Sequence, residues 1–220
     1  MLNLPNPKAE AWKFTHLARA IESIPEHDVR MATLRELEAL LPVLSVPQIV
    51  LVNGNPVESL GTPLPKGVSW QDAGASVTGK TGGPSDKALD SLDSMAVAHT
   101  WQLSISQTPA RPLVVVHVGG RVGRLDIMIA AGCKANVIEV HLSVPDMQGW
   151  QHNACIIAVA EGAELTHSVL HLLPDTEHLV QTRRQRLNIA PKGAYKGALA
   201  TFGGGLVRSE IHTTLTADCL

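Results

Sequence analysis

The second half of the chain repeats itself about every thirty residues: Ala131-Gly132-Cys133, Glu161-Gly162-Ala163 and Lys192-Gly193-Ala194 each open an apolar, β-rich stretch, with the glycines 30 and 31 positions apart. The residues that follow, NVIEVHL, ELTHSVLHL and YKGALATF, read as the strands of stacked β-coils. A single coil cannot bury its own apolar face and needs a coil on each side. The sequence stops at Leu220, soon after the strand-like LVRSEIHTTLTA. The expectation is therefore that a partner covers the last coil or that more coils follow in a longer protein.

The front of the chain has another rhythm. From Glu10 to Ile24, the residues Trp12, Leu17, Ala20, Ile21 and Ile24 recur at helical spacing, and Pro25 ends the stripe. Thr33 with Glu36 three positions on predicts a capping box, followed by Leu37, Leu40 and Leu41 before Pro42. Gln48–Val52 then runs into Asn53-Gly54, a two-residue hairpin signal. Residues 61 to 84 are rich in glycine and proline and predict a loop from Gly74 to Pro84; Ser85 caps a third helix with Leu89, Leu92, Met95, Ala96 and His99 on one face. After Trp101 the pattern turns β and stays so. The spans divide into 1–100, a helical region with a hairpin and a glycine-rich loop, and 101–220, a β-helix core.

Charge and cysteine content narrow the function. A net charge of −2 offers no general attraction for a phosphate backbone, so nucleic acid is not an expected partner. No run of apolar residues is long enough to span a bilayer, and no signal-peptide layout opens the chain; no membrane partner and a cytoplasmic location are expected. Three scattered cysteines, Cys133, Cys155 and Cys219, argue against a disulfide framework or a structural zinc site. Cys133 follows the repeat glycine where Ala163 and Ala194 stand in the other repeats, so packing explains it; Cys155 in ACIIAVA reads as a small core residue. Aromatic residues make up 3% of the chain, a poor supply of rings for a sugar-binding solenoid.

The polar residues among the strands are the candidates for chemistry. His141, His152, His167, His171, His178 and His212 lie in this half, and His167 and His171, four apart on a strand, project the same way. With Cys155 or Glu139 from a neighbouring coil they could chelate a borderline metal. The favoured reading makes these histidines solvent-facing residues of half-buried strands, so no metal site is assigned. Arg183, Arg184 and Arg186 could bind an anion, but a solvated edge that blocks strand-to-strand aggregation is the favoured reading. Gly203-Gly204-Gly205 lacks the Lys-Ser/Thr of a phosphate loop. No local arrangement singles out a nucleophile, so no catalytic residue is assigned.

Several segments resemble one family. Glu10-Ala-Trp-Lys-Phe-Thr-His-Leu17 is similar to the E-x-W-[KR]-[FY]-T-x-L segment that opens SufD proteins of iron–sulfur cluster assembly. Val50–Gly54 resembles the family's hairpin, and Leu89–His99 with Trp101–Val118 the entry to its core. Val137-Ile-Glu139 resembles its IIE strand, Gly162-Ala163 with Leu165-x-His167 its GA-x-L-x-H coil, and Gly203–Glu210 its GG-x-[LV]-x-R-x-[ED] element. SufB shares the β-helix part, and the opening segment tips the resemblance to SufD.

The resemblance implies a right-handed parallel β-helix that pairs with SufB-like and SufC-like proteins. That complex would be a scaffold on which an iron–sulfur cluster is transiently built, with no cofactor held by this chain alone and no catalysis by it. Family members are longer, so their remaining coils, the strands that pair with SufB and the C-terminal helices that hold SufC would follow Leu220. The expected architecture is a small helical region before a β-solenoid truncated at its C-terminal end, prone to self-association there. An interaction module without cluster chemistry, or a β-solenoid carbohydrate-active enzyme or acyltransferase, are the alternatives.

Overall fold

The computed structural model describes residues 13, 15–24, 33–41, 44–74, 93, 100–119, 122–144 and 147–216. Two short helices, α1 (Leu17–Glu22) and α2 (Leu34–Leu40), precede the strands. These are β1 (Gln48–Val52), β2 (Asn55–Pro56), β3 (Val68–Asp72), β4 (Thr100–Ile105), β5 (Leu113–Val118), β6 (Val122–Ile129) and β7 (Lys134–Leu142). They continue with β8 (Gly149–Val159), β9 (Glu164–Leu172), β10 (Leu179–Ile189), β11 (Ala194–Phe202) and β12 (Leu206–Leu215). The third helix expected from Ser85, the loop before it (Gly74 apart), Glu10–Trp12 and Cys219 lie outside the described residues, Asp93 excepted.

From β4 onward the chain alternates between two sheets. The first runs β11-β9-β7-β5-β1-β2 and the second β12-β10-β8-β6-β4-β3. All pairings are parallel except β1 with β2 and β3 with β4. Each coil thus places one strand in each sheet, which is the expected β-solenoid with a small helical N-terminal region. Residues 48–72, at the front of the chain, already add three strands to these sheets. At the β1–β2 hairpin, Asn53 and Gly54 both have positive φ (51° and 78°), as a type I′ turn requires.

The repeat glycines are not all equivalent. Glu164 pairs with both Lys134 and Ala194, so β7, β9 and β11 are 30 residues apart. The left-handed corner position is therefore Gly132 (φ 70°), Gly162 (φ 64°) and Lys192 (φ 57°), not Gly193. Cys133, Ala163 and Gly193 share the next slot, each N–H reaching back to the carbonyl of Ala130, Ala160 or Ala190. This corrects the alignment of Cys133 with Ala194. A small residue is still demanded there: a Cβ on Gly193 would stand 2.9 Å from Ala190 O.

Inward residues alternate along each strand. At one end of the coils they are apolar: Leu103, Ile127, Ile157 and Leu187 stack in register through the second sheet, all buried. Each such side chain contributes about 1.5–3 kcal/mol of transfer free energy. Cys133 and Cys155 are free thiols in this same cluster. Outside, Leu37 of α2 covers Val114, Val116 and Val140 on the first sheet, and Leu17 of α1 packs on Val180 beside Trp150 and Leu206 on the second. Burial on both faces is why β5 opens with the apolar run Leu113–Val116 rather than an alternating pattern, with His117 the one polar residue in the strand. The capping box of α2 is formed, with Glu36 N–H on Thr33 Oγ1 and Thr33 N–H on Glu36 Oε2.

Candidate functional site

The other end of the solenoid interior is polar. Glu139, at the middle of β7, points inward and has no exposed surface. From the opposite sheet, Arg183 of β10 meets it with two parallel hydrogen bonds, Nη1 to Oε2 and Nη2 to Oε1, both 2.9 Å. His167, on the next coil of the first sheet, brings Nε2 to 2.8 Å from Oε1. Tyr195 Oη accepts from Gln185 Nε2 (2.8 Å) and lies 3.1 Å from His167 Nδ1. With the Tyr195 O–H donating to Nδ1, the Nε2–H of His167 is left to donate to Glu139.

A second rank of imidazoles closes the carboxylate's far side. His117, His141 and His171 occupy one register line across β5, β7 and β9, which ends on Thr201 of β11. His117 and His141 stack face to face with centroids 4.5 Å apart, and His171 meets His141 edge-on at 4.9 Å. Both His117 Nε2 and His141 Nε2 stand 3.4 Å from Glu139 Oε2. His171 Nδ1 bonds Thr201 Oγ1 at 3.0 Å, while its buried Nε2 has no hydrogen-bond partner among the described residues.

Burial dominates the electrostatics and sets the charge states. It would raise the Glu139 carboxyl, but the Arg183 guanidinium and the surrounding imidazoles overcome it and hold the group well below the usual carboxylate range. Burial, with His117 beside it, pushes His141 well below the ordinary imidazole value. Burial and then Arg183 bring His171 down to about 4. Among the described residues the interior thus holds the Glu139 carboxylate, the Arg183 guanidinium and neutral imidazoles at His141 and His171. Cys155, whose Sγ is 3.9 Å from Glu139 Oε1, is driven up by burial and by that carboxylate, which leaves an unreactive thiol.

These positions overturn two expectations. His141, His152, His167 and His171 are buried rather than solvent-facing, because the strands that carry them are covered on both sides. His178 and His212 alone of the six stay partly exposed, beside Glu177 and Glu210. Arg183, Arg184 and Arg186 do not guard a solvated edge: β10 lies between β8 and β12, and alternation sends Arg183 inward and the other two outward to Asp93. His167 and His171 do face the same way. The three groups whose ligating atoms converge are instead His117, Glu139 and His141, all within 4.8 Å of one another. His117 escaped the reading because its ladder offset to His141 is 24 residues, which hides it from a thirty-residue repeat.

On the outer face, Thr182, His152 and Asp93 form a hydroxyl–imidazole–carboxylate chain, with links of 3.0 and 3.1 Å. A nucleophile needs an open hydroxyl. Thr182 Oγ1 is buried, accepts from Trp150 Nε1 (3.0 Å) and donates toward Gln151 O, so the chain is cross-strand glue. The Gly203–Gly205 turn is no phosphate cradle either, since added Cβ atoms at Gly203 and Gly205 would fall within 2.6 Å of the Leu173 and Glu177 backbones. Among the described residues no helix is long and apolar enough to cross a membrane. No family model matches the chain, and no curated protein matches it.

Proposed function

We propose that this chain is a SufD-like component of a scaffold for iron–sulfur cluster assembly, acting with SufB-like and SufC-like partners and catalysing no reaction itself. One observation carries the reading: the segments that resemble the family meet in space two by two. Thr15, in the opening segment, accepts a hydrogen bond from Arg208 Nη1 of the Gly203–Glu210 element at 2.9 Å, across 193 positions. Glu139 of the Val137–Glu139 segment bonds His167 of the Gly162–His167 coil at 2.8 Å. Residues of the segments that resemble the family thus hold the coils to the helical region and to each other. The fold supplies a body of two stacked parallel sheets on which partner proteins can dock.

The test is co-expression with SufB-like and SufC-like proteins from the same organism. Recovery of all three, with iron and acid-labile sulfide after reconstitution, is the expected result. Capture of partners without iron or sulfide would favour a plain interaction module. The exposed Leu199, Phe202, Ile211 and Leu215 on β11 and β12 are the observation behind that second reading. Failure to recover either partner would end the SufD-like reading.

A further inference from the structure

We propose that the solenoid interior carries a binding site for one divalent transition-metal ion, with His117, His141 and Glu139 as its three protein ligands. The proposal is independent of the scaffold reading and rests on this chain's own residues.

The first argument is spacing. Each imidazole Nε2 lies 3.4 Å from Glu139 Oε2. Ligands bound tetrahedrally at about 2.0–2.2 Å stand about 3.3–3.6 Å apart, which both nitrogen-to-carboxylate distances match. The two rings, stacked nearly parallel with centroids 4.5 Å apart, must turn out of that stack for both Nε2 lone pairs to meet one ion. The three atoms lie on two adjacent strands of one sheet, where the backbone ladder fixes their separation. Two nitrogens and one carboxylate oxygen suit zinc and the borderline divalent ions, rather than calcium or magnesium.

The second argument is that the ligands have few other duties. His117 Nε2 makes no hydrogen bond of acceptable geometry among the described residues, although it faces the carboxylate. His141 Nε2 has beyond Glu139 only a long 3.5 Å approach from Arg183. Arg183 and His167 hold the carboxylate in place, as supporting groups do for ligating carboxylates. Glu139 and His141 are buried, while His117 keeps 13% of its side chain exposed and so opens the site to an incoming ion.

The third argument is a place for the remaining ligand. A small cavity lined by His117, Glu139, Asn153, Arg183 and Gly119 has room for water centres of about 20 Å³, enough for one water-sized ligand. Glu139 and Arg183 cancel in charge, so a bound ion brings two uncompensated positive charges. The ligand in that cavity must then be anionic, hydroxide or a halide, for the ion to stay in so dry a place.

Co²⁺ alone is the probe, added to chelator-treated full-length chain and followed by visible absorption and equilibrium dialysis. One Co²⁺ per chain with the absorption of a low-coordinate site is expected, and His117→Ala should weaken it at least about 100-fold. The surface double variant His178→Ala/His212→Ala should bind as the parent does. Absence of stoichiometric binding, equal binding by His117→Ala, or loss of binding in the surface variant would each overturn the proposal. Should His117→Ala not fold, proton NMR of the Co²⁺ form decides: two shifted imidazole N–H signals support the site, and none refutes it.

Discussion

Arg183 and Glu139 face each other from opposite sheets, both buried, with two hydrogen bonds of 2.9 Å between them. Removing one member leaves the other charged in a dry interior, so Arg183→Met or Glu139→Gln should each cost about 3–5 kcal/mol. The double change to Met and Leu should recover much of that loss. Urea unfolding of the four proteins checks it; single variants costing under about 1 kcal/mol would show that the pair is not isolated from water.

Acid should destabilise the fold in two stages. His171 stays neutral in the folded chain down to about pH 4 but takes a proton in the unfolded chain below its ordinary value of 6.5. Its depressed pKa therefore contributes stability that is present above pH 6.5 and drains away as pH falls toward 4. His141 acts in the same direction. Glu139, also depressed, adds a further loss below its unfolded value of 4.5. Urea midpoints measured from pH 7.5 down to 4 should fall steadily, and His171→Asn should flatten the upper part of that slope.

The corner positions should respond unequally to substitution. Gly203→Ala places a Cβ 2.1 Å from Leu173 O at φ 74° and should cost about 2–4 kcal/mol. Gly132→Ala, at φ 70° with nothing within 4 Å, should cost only the left-handed penalty of about 1 kcal/mol. Lys192→Gly relieves the same strain and should stabilise by about 0.5–1 kcal/mol. Thermal melts rank the three variants, and equal losses at Gly203 and Gly132 would contradict the geometry.

Cutting the Arg208–Thr15 hydrogen bond should loosen the front of the chain more than the solenoid. Thr15→Val is expected to change global stability by about 1 kcal/mol or less. Limited proteolysis within residues 15–24 should nevertheless speed up several-fold, because α1 has little else beyond Leu17 fully buried on the sheet. An unchanged cleavage rate would remove this contact from the account.

The β11–β12 coil should make the protein self-associate. Leu199, Ile211 and Leu215 align with inward-facing residues of the preceding coil, yet are exposed. Concentration-dependent sedimentation is expected, reduced by Leu199→Lys with Ile211→Glu. A monodisperse monomer at high concentration would contradict it.

The solenoid was legible because corner glycines and apolar strands impose a period, and the capping box and hairpin because their chemistry is local. The interior network was not. Alternation says that Arg183 and Arg184 point opposite ways, but which one faces inward depends on the pairing of β10 with β8 and β12. Coil length hid more. The β5-to-β7 offset of 24 and the β7-to-β9 offset of 30 place His117 beside His141, and no fixed spacing reveals that. Lys192 misled for the opposite reason: a lysine holds a left-handed corner, and the neighbouring glycine draws the eye.

Coil length changes at one corner only. The turns leading from the second sheet to the first at 130–133, 160–163 and 190–193 never vary, whereas the opposite turns come in two sizes, short between β5 and β6 and between β11 and β12, longer between β7 and β8 and between β9 and β10. The offset from β10 to β12 is 26, while that from β9 to β11 remains 30. One flank of the molecule is therefore a seam of identical stitches, and the other a hem that can be let out. That hem is stitched to its neighbour at 174–177, where Gly204 N–H bonds Pro174 O and Gly205 lies against the Glu177 backbone, so each turn's length is read by the coil that follows it.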